Sequence, residues 1–394
     1  MLQLFSKQMR RNPYPYYEQV RRGSPLLHDP QGVMWLVFDY DGVKRVLTQH
    51  EVFSSSMSAA RGKAPEWFVF TDPPRHGQLR NVVSRAFTPR VIARLEPGIR
   101  ELSRQFLNRV IGRGEMDLVK DYAGPLPGMV IAELIGIPAQ DKAQFVLWND
   151  AIQALSYVLL APEPPMAAIN EHAALQQEIL AYLRELLDAR RREPQEDILS
   201  RLVEAEVDGE ALSESGIIAF IQLLFSAGTE TSTNMIDNAM LCFIEHPDQL
   251  ARLRADPGLL PMAIEEVLRY RSPVQMMFRE TRQAVELHGQ VIPAGKFVLA
   301  VIGSANHDPK FFEHPERFDI GRDPNPHIAF GHGVHFCVGA PLARLVARIA
   351  IPDLLSRLQN LEPILPDWEP QQPVHVYGPA RLPVRFKPGK AVNS

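Results

Sequence analysis

The sequence predicts a mainly α protein with a small β portion. Three observations carry that expectation. Apolar residues recur at helical spacing through 79–87, 94–110, 173–191 and 257–270. Only short apolar runs, 33–38 (Val-Met-Trp-Leu-Val-Phe) and 297–302, read as buried strands. No Pro/Gly/Ser-rich linker, repeat or charge run divides the 394 residues, so one domain over 1–394 is expected.

In chain order, strand 33–38 precedes the helical stretches 79–87, 94–110 and 173–191. Asp208-Gly209 marks a turn, and Ser213 is placed to cap the helix that follows. That helix is strongly apolar over 217–228 and then meets Thr-Glu-Thr-Ser-Thr-Asn. After helix 257–270, residues 285–292 (Val-Glu-Leu-His-Gly-Gln-Val-Ile) read as a hairpin ahead of strand 297–302. Pro and Gly cluster in 293–295 and 309–326, which should be irregular. A last helix covers 340–358, where Pro352 should cause a kink or an early stop.

A net charge of −4 gives no reason to invoke nucleic acid. The two cysteines, Cys242 and Cys337, exclude a disulfide framework and suit a reducing cytosol. The start of the chain lacks the apolar run of a signal peptide or membrane anchor. The apolar run at 217–228 is too short to span a bilayer, so a soluble, cytoplasmic monomer is expected.

Residues 330–339 read Phe-Gly-His-Gly-Val-His-Phe-Cys-Val-Gly. Gly331, Gly333 and Gly339 let the backbone bend and a flat ligand approach. The following helix N-terminus offers free N–H groups to the Cys337 sulfur, which favours the thiolate. Such a thiolate can bind haem iron. Two other readings stand beside it. A lone Cys is often a small buried hydrophobe. His327, His332 and His335 also suggest zinc, although structural zinc sites usually use two or more Cys.

Residues 227–232, Ala-Gly-Thr-Glu-Thr-Ser, place an acid and hydroxyls on an apolar helix. They read either as a helix emerging into solvent or as a groove where Glu230 and Thr231 supply protons to a small ligand. Glu266 and Arg269 stand three apart on one helix face, a spacing that contributes little when exposed. His76 and Arg80 stand four apart, so both can face one anion or form a solvated basic face.

The Cys loop resembles the haem-binding loop of the cytochrome P-450 superfamily, Phe-Gly-x-Gly-x-His-x-Cys-x-Gly, at every fixed position. Residues 227–232 resemble that family's oxygen-binding helix motif, and Glu266–Arg269 its Glu-x-x-Arg. The motifs follow in the family's order from about residue 35 onward. The resemblance implies the cytochrome P-450 fold, with haem between the long oxygen-binding helix and the Cys-loop helix. It implies haem b with Cys337 as axial thiolate, beside Phe330, Gly331, Gly333, Gly339, Ala227 and Gly228. It also implies that His76, Arg80, Arg279 and His335 hold the propionates, that Glu266–Arg269 is structural, and that Thr231 is the catalytic alcohol with Glu230 as its neighbouring acid.

The activity so implied is that of a soluble, bacterial-type monooxygenase. It inserts one atom of O2 into a hydrophobic small molecule by hydroxylation or epoxidation. One Cys beyond Cys337 cannot build a four-Cys cluster, so NAD(P)H-derived electrons should come from a separate ferredoxin or flavodoxin with its reductase. A peroxide-driven peroxygenase and a non-catalytic haem-binding sensor are the alternatives. The acid–alcohol pair Glu230–Thr231 favours the monooxygenase over both.

Candidate pocket residues are Trp67, Phe68 and Phe70, then Leu223 and Leu224 beside Ala227. Val274, Met276, Met277, Phe278 and Tyr377 complete an apolar, sulfur-rich set that suits a terpenoid, steroid, fatty acid or polyketide. Arg75, Arg85, Arg344 and Arg348 could form a basic docking surface or be simply solvated. Three positions depart from the family's common residues: His307, Arg75 and Val346. Altered surface charge is the expected effect.

Overall fold

The computed structural model describes residues 6–29, 34–56, 67–158, 164–207, 209–365 and 367–389. Eight helices position the site: α1 (Arg75–Ala86), α2 (Pro89–Val110), α3 (Pro125–Ile135), α4 (Lys142–Val158), α5 (Met166–Arg192), α6 (Glu214–Glu245), α7 (Leu260–Tyr270) and α8 (Ala340–Arg357). The expected helices are all present; α1, α2 and α5 start one to two turns early, whereas α7 starts at Leu260 after a 3-10 turn over Pro257–Leu259. Thr88 caps α2 through Val91 N–H, and Ser213 caps α6 through Gly216 N–H at 3.0 Å.

The main sheet has five strands: β1 (Leu26–His28), β2 (Met34–Val37), β3 (Phe53–Ser54), β4 (Met277–Thr281) and β5 (Phe297–Ala300), in the order β1-β2-β5-β4-β3. The two strands read from sequence pair with each other in parallel, Val298 opposite Trp35 and Leu299 opposite Leu36. Residue 33 lies outside the described residues. The second strand ends at Ala300 rather than 302, because Ile302–Ala305 coils into a helical turn. The hairpin at 285–292 forms as expected, with Val285 opposite Ile292. His288 and Gly289 both take positive φ, 50° and 73°, the geometry a two-residue turn needs to follow strand twist. Gly209 has φ 81° in the expected turn, whose Asp208 lies outside the described residues.

Helix α8 runs through Pro352 to Arg357, so the expected early stop does not occur. Proline removes a single N–H, while buried Leu342, Ile349, Ile351 and Leu354 hold the helix on both sides of it. Helix α6 likewise does not end at its hydroxyl-rich stretch. It continues for 32 residues, about 48 Å. Its hydroxyls are satisfied locally: Thr229 donates to the Phe225 carbonyl at 2.9 Å and Thr231 to that of Ala227 at 2.7 Å. Thr233 donates to the Ala123 carbonyl at 3.0 Å. Helix α6 packs against α3 and α8 in the centre of the molecule. Gly228 is needed for that packing, since a Cβ there would lie 2.7 Å from Ile131 Cδ1 of α3. Among the described residues no helix is long and apolar enough to cross a membrane.

Glu266 and Arg269 on α7 are fully buried, so their spacing is not that of a weak surface pair. Two bonds of 2.8 Å join the side chains. Arg269 also donates to the carbonyls of Asn306, Pro315 and Arg317. Glu266 accepts from Asp319 N–H, Arg322 and Asn325. The pair thereby pins the irregular segment 306–325 to α7. Removing one member leaves an uncompensated buried charge, which costs about 3–5 kcal/mol. Arg269→Ala should lower stability to urea by that amount, and a change under about 1 kcal/mol would contradict this role.

Candidate active site around Cys337

The segment before α8 folds back on itself. Cys337 N–H donates to the Phe330 carbonyl at 2.9 Å, and Gly331 and Gly333 take φ of 74° and 73°, which only glycine adopts freely. The backbone N–H groups of Gly339 and Ala340 point at the Cys337 sulfur, as the helix start predicts. Burial nevertheless raises the thiol pKa. Those two N–H groups, Arg80 and Arg344 oppose it without overcoming it. A metal cation is the partner that turns such a thiol into a thiolate.

Four basic side chains converge beside this loop. His76 and His335 lie with ring centroids 4.0 Å apart. Burial pushes His76 down to about 4, and Arg80 adds to it; burial and Arg279 push His335 down to about 3. Arg279, 5% exposed, is lowered by burial to about 10. It donates to the Phe278 carbonyl at 2.7 Å. His76 Nε2 is buried with no hydrogen-bond partner, while His335 Nε2 meets Ser55 Oγ at 2.9 Å. Arg80 does more than face an anion: it donates to the Val334 and Phe336 carbonyls at 2.9 and 2.6 Å and so grips the Cys loop.

A nearby acid, Asp72, stands four residues before His76, and no motif in the sequence marked it. It accepts Ser55 N–H at 2.9 Å, Ser54 Oγ, and Arg282 at 2.5 Å. Burial alone would raise Asp72, but these bonds and Arg282 hold it below its usual value. Its oxygens are therefore spoken for. What the cradle lacks is an anion, and what the thiol lacks is a cation. Iron-bound haem with two propionates supplies both, so the residues present fit that group.

The histidines do not form a zinc site. His327 Nε2 meets Glu265 at 2.9 Å, and His335 turns to Ser55 and His76. No group of three or more metal-binding side chains occurs among the described residues. Glu265 also takes Arg344 in two bonds of 2.7 Å. Burial would raise its pKa, but Arg344 and His327 outweigh burial and hold it at about 2. The Arg344 guanidinium lies 4.6 Å over the Phe330 ring. Arg344 is thus a brace between α7, α8 and the Cys loop rather than a docking charge. Glu265 was missed because its neighbour Glu266 completes the better-known spacing. Arg75 and Arg348 are exposed, and the Arg85 side chain lies outside the described residues.

On α6, Ala227 is exposed within an otherwise buried helix, so an opening faces it. Phe68 is buried, 5.9 Å from both the Phe220 and His76 rings; Trp67 stacks on Phe70 at 5.8 Å. Phe278 is 48% exposed and Met277 half-buried, whereas Leu223 and Leu224 are buried in the main core. Val274 pairs with Val376. Met276 and Tyr377 pack in core clusters as well. Met276 packs in the cluster holding Tyr17 and Phe38. Tyr377 donates its hydroxyl to the Arg11 carbonyl and packs on Trp368 and Tyr14. His307 and Val346 are also buried, so neither alters surface charge. His307 stacks on Tyr14 at 4.3 Å, and burial drives its pKa far down.

The sequence profile described as cytochrome P-450 matches residues 4–373. The chain belongs to the cytochrome P-450 family. Cytochrome P-450 109 of Bacillus spizizenii is 39% identical over 396 residues, covering 98% of this chain and 95% of its own. Among solved structures, CYP109Q5 from Chondromyces apiculatus superposes with a TM-score of 0.89 at 38% identity, covering 98% of each chain. CYP109E1 from Bacillus megaterium in complex with corticosterone gives 0.87 at 38% identity, covering 97% of this chain and all of its own. The fold is therefore that of a cytochrome P-450, the protein is an oxidoreductase of that family, and the family implies a haem-thiolate iron cofactor.

Arg80→Ala should weaken haem retention about tenfold, because a half-exposed charged hydrogen bond contributes about 1–2 kcal/mol. The exposed Arg75→Ala should not. Haem absorbance per protein after gel filtration checks this, and equal retention in the two variants would contradict it.

Proposed function

We propose that the chain is a haem-thiolate monooxygenase acting on a hydrophobic small molecule, with electrons from a separate ferredoxin or flavodoxin and its reductase. The observation that carries this reading is Cys337 at the head of α8, beside a buried cationic cradle without an anion of its own. Cys337 would ligate iron, and His76, Arg80, Arg279 and His335 would face the propionates. When bound, haem supplies oxygen activation, by which one atom of O2 enters the substrate and the other leaves as water.

The chain's own residues then have three tasks. Trp67, Phe68, Phe70, Met277 and Phe278 offer apolar surface that binds the substrate and excludes water. Thr231 holds a proton that now rests on the Ala227 carbonyl and can turn toward the opening beside Ala227. Glu230, the adjacent acid, replaces that proton. A steroid is the first substrate class to test, since the similar CYP109E1 was solved with corticosterone. Among the described residues no helix is long and apolar enough to cross a membrane; both cysteines are free, which supports a reducing, cytoplasmic setting.

The reduced protein with carbon monoxide should show the strongly red-shifted Soret band of thiolate ligation, and Cys337→His should lose it. An unchanged band in that variant would remove Cys337 as ligand. Thr231→Val should retain haem and still consume NAD(P)H and O2, while product falls and hydrogen peroxide rises. General acid–base groups contribute about 10²–10⁴-fold, so product per electron should drop by a similar order. Coupling equal to the parent's would reduce Thr231 to a helix residue.

A further inference from the structure

We infer that Asp237 carries a proton on a buried polar route running from the protein surface at Asp117 to Glu230. The inference rests on the monooxygenase reading for its purpose and on independent geometry for its existence. Glu230, Asn234 and Asp237 follow at i, i+4 and i+7 on α6, so they share one face with Cβ atoms about 5–6 Å apart. This face is out of keeping with the rest of α6, which is mostly apolar.

Asn234 and Asp237 are both 0% exposed. Neither carboxyl oxygen of Asp237 and neither polar atom of Asn234 finds a hydrogen-bond partner in the protein. Asn238 Oδ1 is in the same position, although its Nδ2 donates to the Arg271 and Tyr377 carbonyls. Native proteins rarely leave buried polar groups unpaired, and satisfy those that the chain cannot reach with internal water. The strand Pro379–Arg381 packs on this part of α6, and Gly378 approaches Asn234 so closely that a Cβ there would clash.

The charge on Asp237 follows from its surroundings. Among the described residues the charged group that acts on it is Asp117, of like sign. An ionised carboxyl without a cation or donor is far too costly to bury, so Asp237 is neutral. Burial, and then Asp117, raise its pKa well above the carboxylate range. Asp117 marks the way out. It accepts Leu382 N–H at 3.0 Å and Arg381 at 3.2 Å, and the Arg381 side chain is 70% exposed. A proton leaving Asp237 toward Glu230, through water held by Asn234, is replaced from solvent at Asp117. The proton from the Asp117 side arrives as the other leaves toward Glu230, so Asp237 is neutral throughout and charge balances. It acts through Glu230 and never meets the substrate.

Infrared difference spectra of the haem-loaded protein, labelled with carbon-13 aspartate, test this directly. A protonated-carboxyl band should be present in the parent and absent in the isosteric Asp237→Asn. On mixing with heavy water the parent band should shift within the mixing time, and more slowly in Asp117→Asn. An absent band, or one that shifts only on unfolding, overturns the inference. In turnover with corticosterone as probe and a ferredoxin–reductase pair as electron source, Asp237→Asn should raise the share of O2 recovered as hydrogen peroxide. Product per electron should fall about tenfold, below the 10²–10⁴ range of a direct donor, and Asp237→Glu should restore it. An unchanged share in Asp237→Asn overturns the route. A parent that shows the exchanging band but oxidises no substrate defeats the monooxygenase reading and leaves the route standing.

Discussion

A cluster of buried and half-buried basic groups beside a half-buried thiol is the constraint around which this molecule is organised. Burial pushes His76, Arg80, Arg279 and His335 toward their neutral forms, and the two histidines are pushed further by the neighbouring arginines. The single nearby carboxylate, Asp72, is committed to Ser54, Ser55 and Arg282. Such a cradle is unfavourable alone and favourable around a dianion, because the cost of burying the cations is already met by the fold. Cys337 shows the complementary deficit, a thiol kept neutral by burial until a metal displaces its proton.

The scaffold holds this arrangement by fastening irregular backbone to regular helices. Arg80 on α1 grips the Cys loop through two carbonyls. Glu265 on α7 reaches the loop from the other side through His327 and Arg344, and Arg344 covers Phe330. One residue on, Glu266 with Arg269 pins segment 306–325 to the same helix. Adjacent acids on α7 thus serve two separate networks. Helix α6 passes through the centre and presents Ala227 and Thr231 to an opening, while Gly228 lets α3 approach.

The sequence made the Cys loop legible because glycine at positive φ and a helix start leave strong local signatures, seen at Gly331, Gly333 and Ala340. Helix existence and the hairpin were legible for the same reason. Properties set by distant packing were not. The packing role of Gly228 is one of them, because its neighbour is Ile131, almost a hundred residues earlier. Spacing alone made Glu266–Arg269 a weak pair, since spacing says nothing about burial, and only the family resemblance marked it as structural. Met276 and Tyr377 have pocket-like character, but the chain folds Tyr17 and Arg11 over them. Pro352 pointed to a kink or an early stop, whereas apolar contacts carry α8 past it to Arg357.

The central claim is that the cationic cradle exists to compensate the carboxylates of a haem ligated at Cys337. The most direct measurement is a titration of haem-free protein with iron protoporphyrin and, separately, with its dimethyl ester. The two ligands share shape and metal and differ only in the two negative charges. Buried charge left unpaired costs about 3–5 kcal/mol, so the ester should bind at least about a hundredfold more weakly. Equal affinity for the two would contradict the account.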